Sequence, residues 1–124
     1  MSGRQSVGRR GEELAAAYLV ERGWRILARN YRAGPKEIDI VAERGGVVAF
    51  VEVKTRATAT GGTPLEPIRA PKRWAVEAAA RRWIHEHGRR GVAYRFDAVA
   101  VQLAGGSHEI SHIPDAWRPS YSPR

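Results

Sequence analysis

Apolar residues along the chain switch between helical spacing and strand-like alternation. Ala15, Ala16 and Leu19 fall three, four and seven positions after Glu12, which is the spacing of one helix face. The residues around them are good helix formers, and Gly23 stands where a C-terminal cap belongs, so a helix is expected over residues 12–22. Residues 24–32 read as a first strand, 37–43 as a second and 47–56 as a third, with Ala33, Gly34 and Pro35 breaking the pattern after the first. Gly45 and Gly46 are a two-residue hairpin signal between the second and third strands. Residues 57–71 are rich in Thr, Gly, Ala and Pro and read as a loop. Pro71 opens a second helix that runs to residue 87, with Gly88 after it. Residues 92–103 alternate as a fourth strand, and 108–113 add an edge strand. This order predicts an α/β fold, a central mixed sheet flanked by helices. One domain over residues 9–113 is expected, between a flexible basic arm (1–8) and an extended or disordered tail (114–124).

Composition adds a partner to this picture. The 124 residues suit one domain, and 43% of them are hydrophobic, enough for a core. The formal net charge is +8, an excess of cations that steers a protein toward polyanions, of which nucleic acid is the commonest. The bland alternative is that the charge only aids solubility, but nucleic acid is the favoured reading. There is no cysteine, which excludes disulfides, thiolate catalysis and Cys-bound zinc. The basic start lacks the apolar stretch of a secretory signal, and the run from residue 14 to residue 20 is too short for a membrane span. A cytoplasmic protein with no membrane partner is the expectation.

The chemistry gathers on the second and third strands. Side chains alternate along a strand, so Glu37 and Asp39 are expected on one face and Ile38 and Ile40 on the other. Glu52, Lys54 and Arg56 share a face of the next strand. If Gly45 and Gly46 are the two loop residues, Arg44 pairs with Val47, and counting back sets Asp39 opposite Glu52 and Glu37 opposite Lys54. Two bare carboxylates at that spacing repel by roughly 3 kcal/mol at an effective dielectric of about 20. A divalent cation with a preference for oxygen ligands, Mg²⁺ or Mn²⁺, would offset this. Lys54 would then face a phosphate and steady the charge that builds on it. Charges alternating along a strand more often mark a solvated face with cross-strand ion pairs. The run from residue 47 to 51 is wholly apolar, however, and charges planted in a buried strand are costly unless functional or paired. Glu12 stands at the end of the apolar helix stripe, an odd place for a carboxylate without a role.

Other residues carry weaker signals. Lys72 and Arg73 lie in the first turn of the second helix, where cations oppose the dipole; a bound phosphate would reconcile them, and plain exposed charge explains them equally well. Arg56 is a candidate phosphate contact. Arg4, Arg9 and Arg10 are candidates to touch the nucleic-acid backbone through a mobile arm, with a purely disordered arm as the favoured alternative. Arg95 and Asp97 read as a structural pair on the fourth strand. His85 and His87 read as solvated, and His108 and His112 lack a carboxylate pattern that would suggest zinc. Trp74 and Trp83 read as packing residues, and Trp117 as an anchor for a partner or for self-association.

The joint pattern of GRRGEELAAAYLVERGW, EIDIV, FVEVKTR and RFDAVAV, spread over residues 8–103, resembles the YraN-like family of uncharacterised bacterial proteins. That family is placed by similarity in the PD-(D/E)XK nuclease superfamily, close to archaeal Holliday junction resolvases. The resemblance implies a restriction-endonuclease-like three-layer fold. It implies a Mg²⁺-dependent endonuclease on DNA, selective for branched or damaged structures, with a non-cleaving nucleic-acid binder of the same fold as the alternative. It points to Asp39 as the central metal ligand, Glu52 as the second acidic ligand and Lys54 as the catalytic lysine. Glu12 matches the helix glutamate of the resolvase-like branch, and Glu37 the glutamate before the motif aspartate. The family usually has Gly where this chain has Lys36, which adds a cation beside the site. Nucleases of the superfamily often pair, so the resemblance also implies a homodimer.

Overall fold

A computed structural model describes residues 3–58 and 73–119. Its elements are α1 (Gly3–Glu21), β1 (Arg25–Ala33), β2 (Lys36–Arg44), β3 (Val47–Thr58), α2 (Arg73–His87), β4 (Ala93–Ala104) and β5 (Ser107–Trp117). Ala57 and Thr58, expected to open a loop, still belong to β3, and the rest of that expected loop (59–71) lies outside the described residues, as do Lys72, the side chains of Arg4 and Lys36 and residues 120–124.

The five strands lie in the order β1-β2-β3-β4-β5. All neighbours are antiparallel except β3 and β4, whose connection carries α2 and so allows a parallel pair. One apolar cluster packs Ala15, Ala16 and Leu19 of α1 on Ile40, Ala49, Val51, Val99 and Val101. A second packs Val76, Ala79, Ala80 and Trp83 of α2 on Ile38, Val41, Val48 and Phe50. The helices therefore cover opposite faces of the sheet, which is the three-layer α/β arrangement expected. No helix among the described residues is long and apolar enough to cross a membrane.

Helix α1 begins at Gly3, so most of the segment expected as a flexible arm is helical. Helix propensity is poor there. Tertiary packing compensates, because Val7, at the same four-residue spacing as Ala15 and Leu19, joins the α1-side cluster. Gly11 lies between them against Thr55 of β3, where a methyl group would collide with the Thr55 side chain. The other end is closed as the sequence suggests. The Trp24 N–H donates to the Leu19 carbonyl (2.9 Å) and the Gly23 N–H to that of Val20 (3.0 Å), with Gly23 at φ 91°, a Schellman cap.

The β2–β3 hairpin has the expected turn. Arg44 pairs with Val47, and Gly45 and Gly46 both take positive φ, the type I′ geometry that suits twisted strands. Strand β5 departs from expectation. It runs through Pro114, tolerated on an edge strand, to Trp117, rather than ending at residue 113. The extension is held by Trp117, which is buried, stacks on Phe96 with centroids 5.1 Å apart and donates its indole N–H to Glu77 (3.2 Å). Trp117 is thus an internal anchor. Trp83 is buried as expected, whereas Trp74 is 63% exposed and does not pack in the core.

Candidate functional site

The β2–β3 ladder follows the expected register from the turn as far as Ile40 opposite Val51, and no paired position continues beyond it. The next residues in line are Asp39 and Glu52. Instead of a main-chain partner, the Val53 N–H donates to Oδ2 of Asp39 at 2.7 Å, so a carboxylate replaces the backbone acceptor at the point where the strands part. The anticipated direct pairing of Asp39 with Glu52, and of Glu37 with Lys54, is absent from the ladder. Glu37 pairs across β1–β2 with Arg32 (2.7 Å), a supporting ion pair on the far side of its strand.

A second feature explains the opening. Ile38 packs in the α2-side cluster and Ile40 in the α1-side cluster, so the two do not share a face as expected. Their alternation changes phase at Asp39. Strand β1 changes phase beside it, since Ala28 and Tyr31, three positions apart, both pack on the α2 side. Arg29 pairs with Ile40 and Tyr31 with Ile38, leaving Asn30 and Asp39 as the positions between. Asn30 has φ 53°, a left-handed conformation that Asn tolerates better than most residues. Its Nδ2 donates to Oε1 of Glu12 at 3.1 Å, linking α1 to this point of the sheet. Asn30 was not singled out among the candidate site residues of the sequence. The only signal for it is a small polar amide inside a strand, where Asn is depleted.

Glu52, Lys54 and Arg56 continue the α2-facing side of β3 begun by Val48 and Phe50. Glu52 is 7% exposed, a carboxylate buried within a mostly apolar strand. Lys54 and Arg56 are half-buried and line a cleft of about 290 Å³ toward β4 and β5. Arg73 is exposed at the start of α2, with its guanidinium carbon 5.0 Å from the centre of the Trp117 ring. The expected pair of Arg95 and Asp97 is present at 2.8 and 2.9 Å, and His112, expected to be without a carboxylate, lies 2.8 Å from Asp97. Sequence alternation did not reveal this because His112 and Asp97 come together only through the β4–β5 register.

The donors Asp39, Glu52 and Glu12 offer only oxygen, the chemistry Mg²⁺ favours. Among the described residues, however, no group of three or more His, Asp or Glu side chains is gathered closely enough to hold a metal ion. The three carboxylates expected to form one metal site are therefore not assembled as a cage. Mg²⁺ usually keeps several waters and is held by one or two carboxylates, so Asp39 and Glu52, on the two strands that part here, fit it as a pair. Glu12 is engaged with Asn30 beside them.

The model of the Uncharacterised protein family UPF0102 matches residues 11–101, a span that contains Glu12, Asn30, Asp39, Glu52, Lys54 and Arg56. Among similar proteins, the UPF0102 protein of Anaeromyxobacter dehalogenans strain 2CP-C is 46% identical over 115 residues, covering 93% of this chain and 86% of that one. That of Trichlorobacter lovleyi is 44% identical over 121 residues, with 96% and 95% covered. That of Myxococcus xanthus strain DK1622 is 40% identical over 114 residues, with 92% and 90% covered. The chain belongs to the UPF0102 family, the YraN-like family that its motifs resemble.

Proposed function

We propose that this protein is a Mg²⁺-dependent nuclease that hydrolyses phosphodiester bonds in DNA, with branched or damaged structures as its preferred substrates. The observation that carries this reading is the end of the β2–β3 ladder at Ile40 and Val51, where Asp39 crosses to the Val53 N–H and buried Glu52 follows on the partner strand. Asp39 and Glu52 would hold the ion, which when bound acidifies a water and offsets charge on the phosphate. The hydrogen bond from Val53 fixes the orientation of the Asp39 carboxylate. Lys54, two residues beyond Glu52 on the same face, donates to a phosphate oxygen as negative charge builds there. Glu12, steadied by Asn30, orients water at the edge of the site. The net charge of +8 holds the polyanion through its backbone.

A second reading, a nucleic-acid binder of the same fold that does not cut, is favoured by one observation, the lack of a gathered three-carboxylate group among the described residues. One experiment separates the two. The purified chain and its Asp39→Ala variant are incubated with branched, single-stranded and duplex DNA in Mg²⁺, in Mn²⁺ and in EDTA. Cutting that needs metal and falls at least a hundredfold in Asp39→Ala is the expected result. Salt-sensitive binding with no cutting in either metal would overturn the nuclease reading and leave the binder.

A further inference from the structure

Lys54 and Arg56 do not point at open solvent alone. They line the cleft of about 290 Å³ together with Ala100 and Gln102 of β4 and Glu109 and Ser111 of β5. The register shows how it is built. Lys54 pairs with Ala100, which pairs with Ser111, and Arg56 pairs with Gln102, which pairs with Glu109. These are two parallel rows across three strands, roughly 6.6 Å apart along β3. The small side chain of Ala100 at the centre of the first row leaves the space between Lys54 and Ser111.

The second row holds an unsatisfied donor. Nε of Arg56 is buried and has no hydrogen-bond partner among the described residues. A buried polar group left unpaired is costly, and more so when it is charged, so such a donor marks a place where an acceptor is missing. Gln102 stands beside it in the same row and Ser111 lines the cleft in the neighbouring row, neutral groups of the kind that contact phosphate oxygens alongside Arg and Lys. Glu109, on the exposed edge strand, sets the outer limit of the row and repels an anion that strays toward it.

We propose that this cleft is a phosphate subsite for the nucleic-acid strand, in which Arg56, paired with Gln102 and with Ser111 lining the same cleft, binds the backbone phosphate next to the one that Lys54 faces. The inference rests on the nuclease reading for the direction of the strand, but not for the anion site itself. Arg56 acts as a positioning residue. It sets where along the strand the reacting phosphate comes to rest, and it reads no base.

The test is binding, measured apart from cutting. Full-length chain carrying Asp39→Ala is titrated with labelled single-stranded and duplex oligonucleotides by fluorescence anisotropy over a range of KCl concentrations. Adding Arg56→Ala is expected to weaken binding roughly tenfold, the size of one charge-assisted hydrogen bond, and to reduce the salt slope by about one phosphate contact. Arg56→Lys restores the slope but not the full affinity, since it returns the charge without the Nε donor. Glu109→Gln tightens binding severalfold. Calorimetry with inorganic phosphate forms a separate arm, in which binding far weaker than that of the oligonucleotides is expected. Unchanged affinity and slope in Arg56→Ala, with its circular dichroism melt intact, overturns the subsite. If that variant does not fold, Arg56→Lys and Glu109→Gln decide, and parent-like binding by both overturns it. Tight binding of inorganic phosphate that oligonucleotides fail to displace overturns it too, in favour of a free-anion site. Metal-dependent cutting with no Arg56 effect sinks the subsite alone, whereas an Arg56 effect with no cutting in any metal sinks the nuclease reading alone.

Discussion

At the scale of single residues, Asp97 shows most clearly how this fold manages a buried charge. It is fully buried, and burial by itself would push its carboxyl up. Donors on every side outweigh that. Arg95 meets both oxygens at 2.8 and 2.9 Å, the Asp115 N–H donates at 3.0 Å, and His112 lies 2.8 Å away. Together they hold the carboxyl below its ordinary value. Because the folded value lies below the unfolded one, this stability is complete above the unfolded pKa of about 3.9 and is lost as pH falls through the lower folded value. Urea unfolding of Asp97→Asn should therefore show a shallower loss of stability below about pH 4 than the parent chain, because the variant has no carboxyl to protonate. Asp97→Ala should cost about 3–5 kcal/mol near neutral pH, since it strands the Arg95 guanidinium and the donors of β5 around an empty site. A cost under about 1 kcal/mol, the usual worth of an exposed pair, would mean that Arg95 and His112 turn to solvent without loss.

At the scale of elements, α1 and β3 meet so closely that one position decides the distance between them. Gly11 lies against Thr55, while Gly8, one turn earlier, has nothing within 4 Å of an added methyl. Both lie inside α1, where Ala is favoured over Gly by up to about 1 kcal/mol. Gly8→Ala should therefore raise the melting temperature, whereas Gly11→Ala should lower stability by about 1–3 kcal/mol despite the better helix former, as overpacking does. Equal gains at both positions in thermal unfolding would show that α1 can ride away from Thr55 without cost. The same pair of positions explains what could be read from the chain and what could not. The cap at Gly23 and the turn at Gly45 and Gly46 are local, because each needs a positive φ that glycine supplies, and both were legible. The start of α1 was not legible, because its stripe from Val7 through Gly11 makes sense only once Thr55 is known to face it. Strand β5 past Pro114 was hidden for the same reason, held as it is by Asp97 and Phe96 of a neighbouring strand. In the candidate site, Glu52 and Lys54 were legible as charges planted in an apolar strand. The hairpin count that joined Asp39 to them held to Ile40 and failed one residue later, where a side chain took over the backbone's hydrogen bond.

At the scale of the whole molecule, one sheet separates two cores, and β1 and β2 cross from one packing phase to the other at Asn30 and Asp39. The proposed metal pair thus stands where two independently packed layers must agree, so an ion bound there would brace the entire fold rather than one loop. An ion that binds the folded chain and not the unfolded one would add stability that grows with the logarithm of its concentration. At ten times the dissociation constant it is about 1.4 kcal/mol, which for a domain of this size raises the melting temperature by about 4–6 °C. Thermal unfolding in Mg²⁺ should show that rise, and EDTA should reverse it. Potassium chloride at matched ionic strength controls for screening of the +8 charge, which any salt provides. Asp39→Asn is the informative variant, because its amide oxygen can still accept from the Val53 N–H while the carboxylate is gone. It should melt without a Mg²⁺ response. The same rise in Asp39→Asn as in the parent chain would place the ion elsewhere on the surface and remove the physical basis for a metal at the parting of β2 and β3.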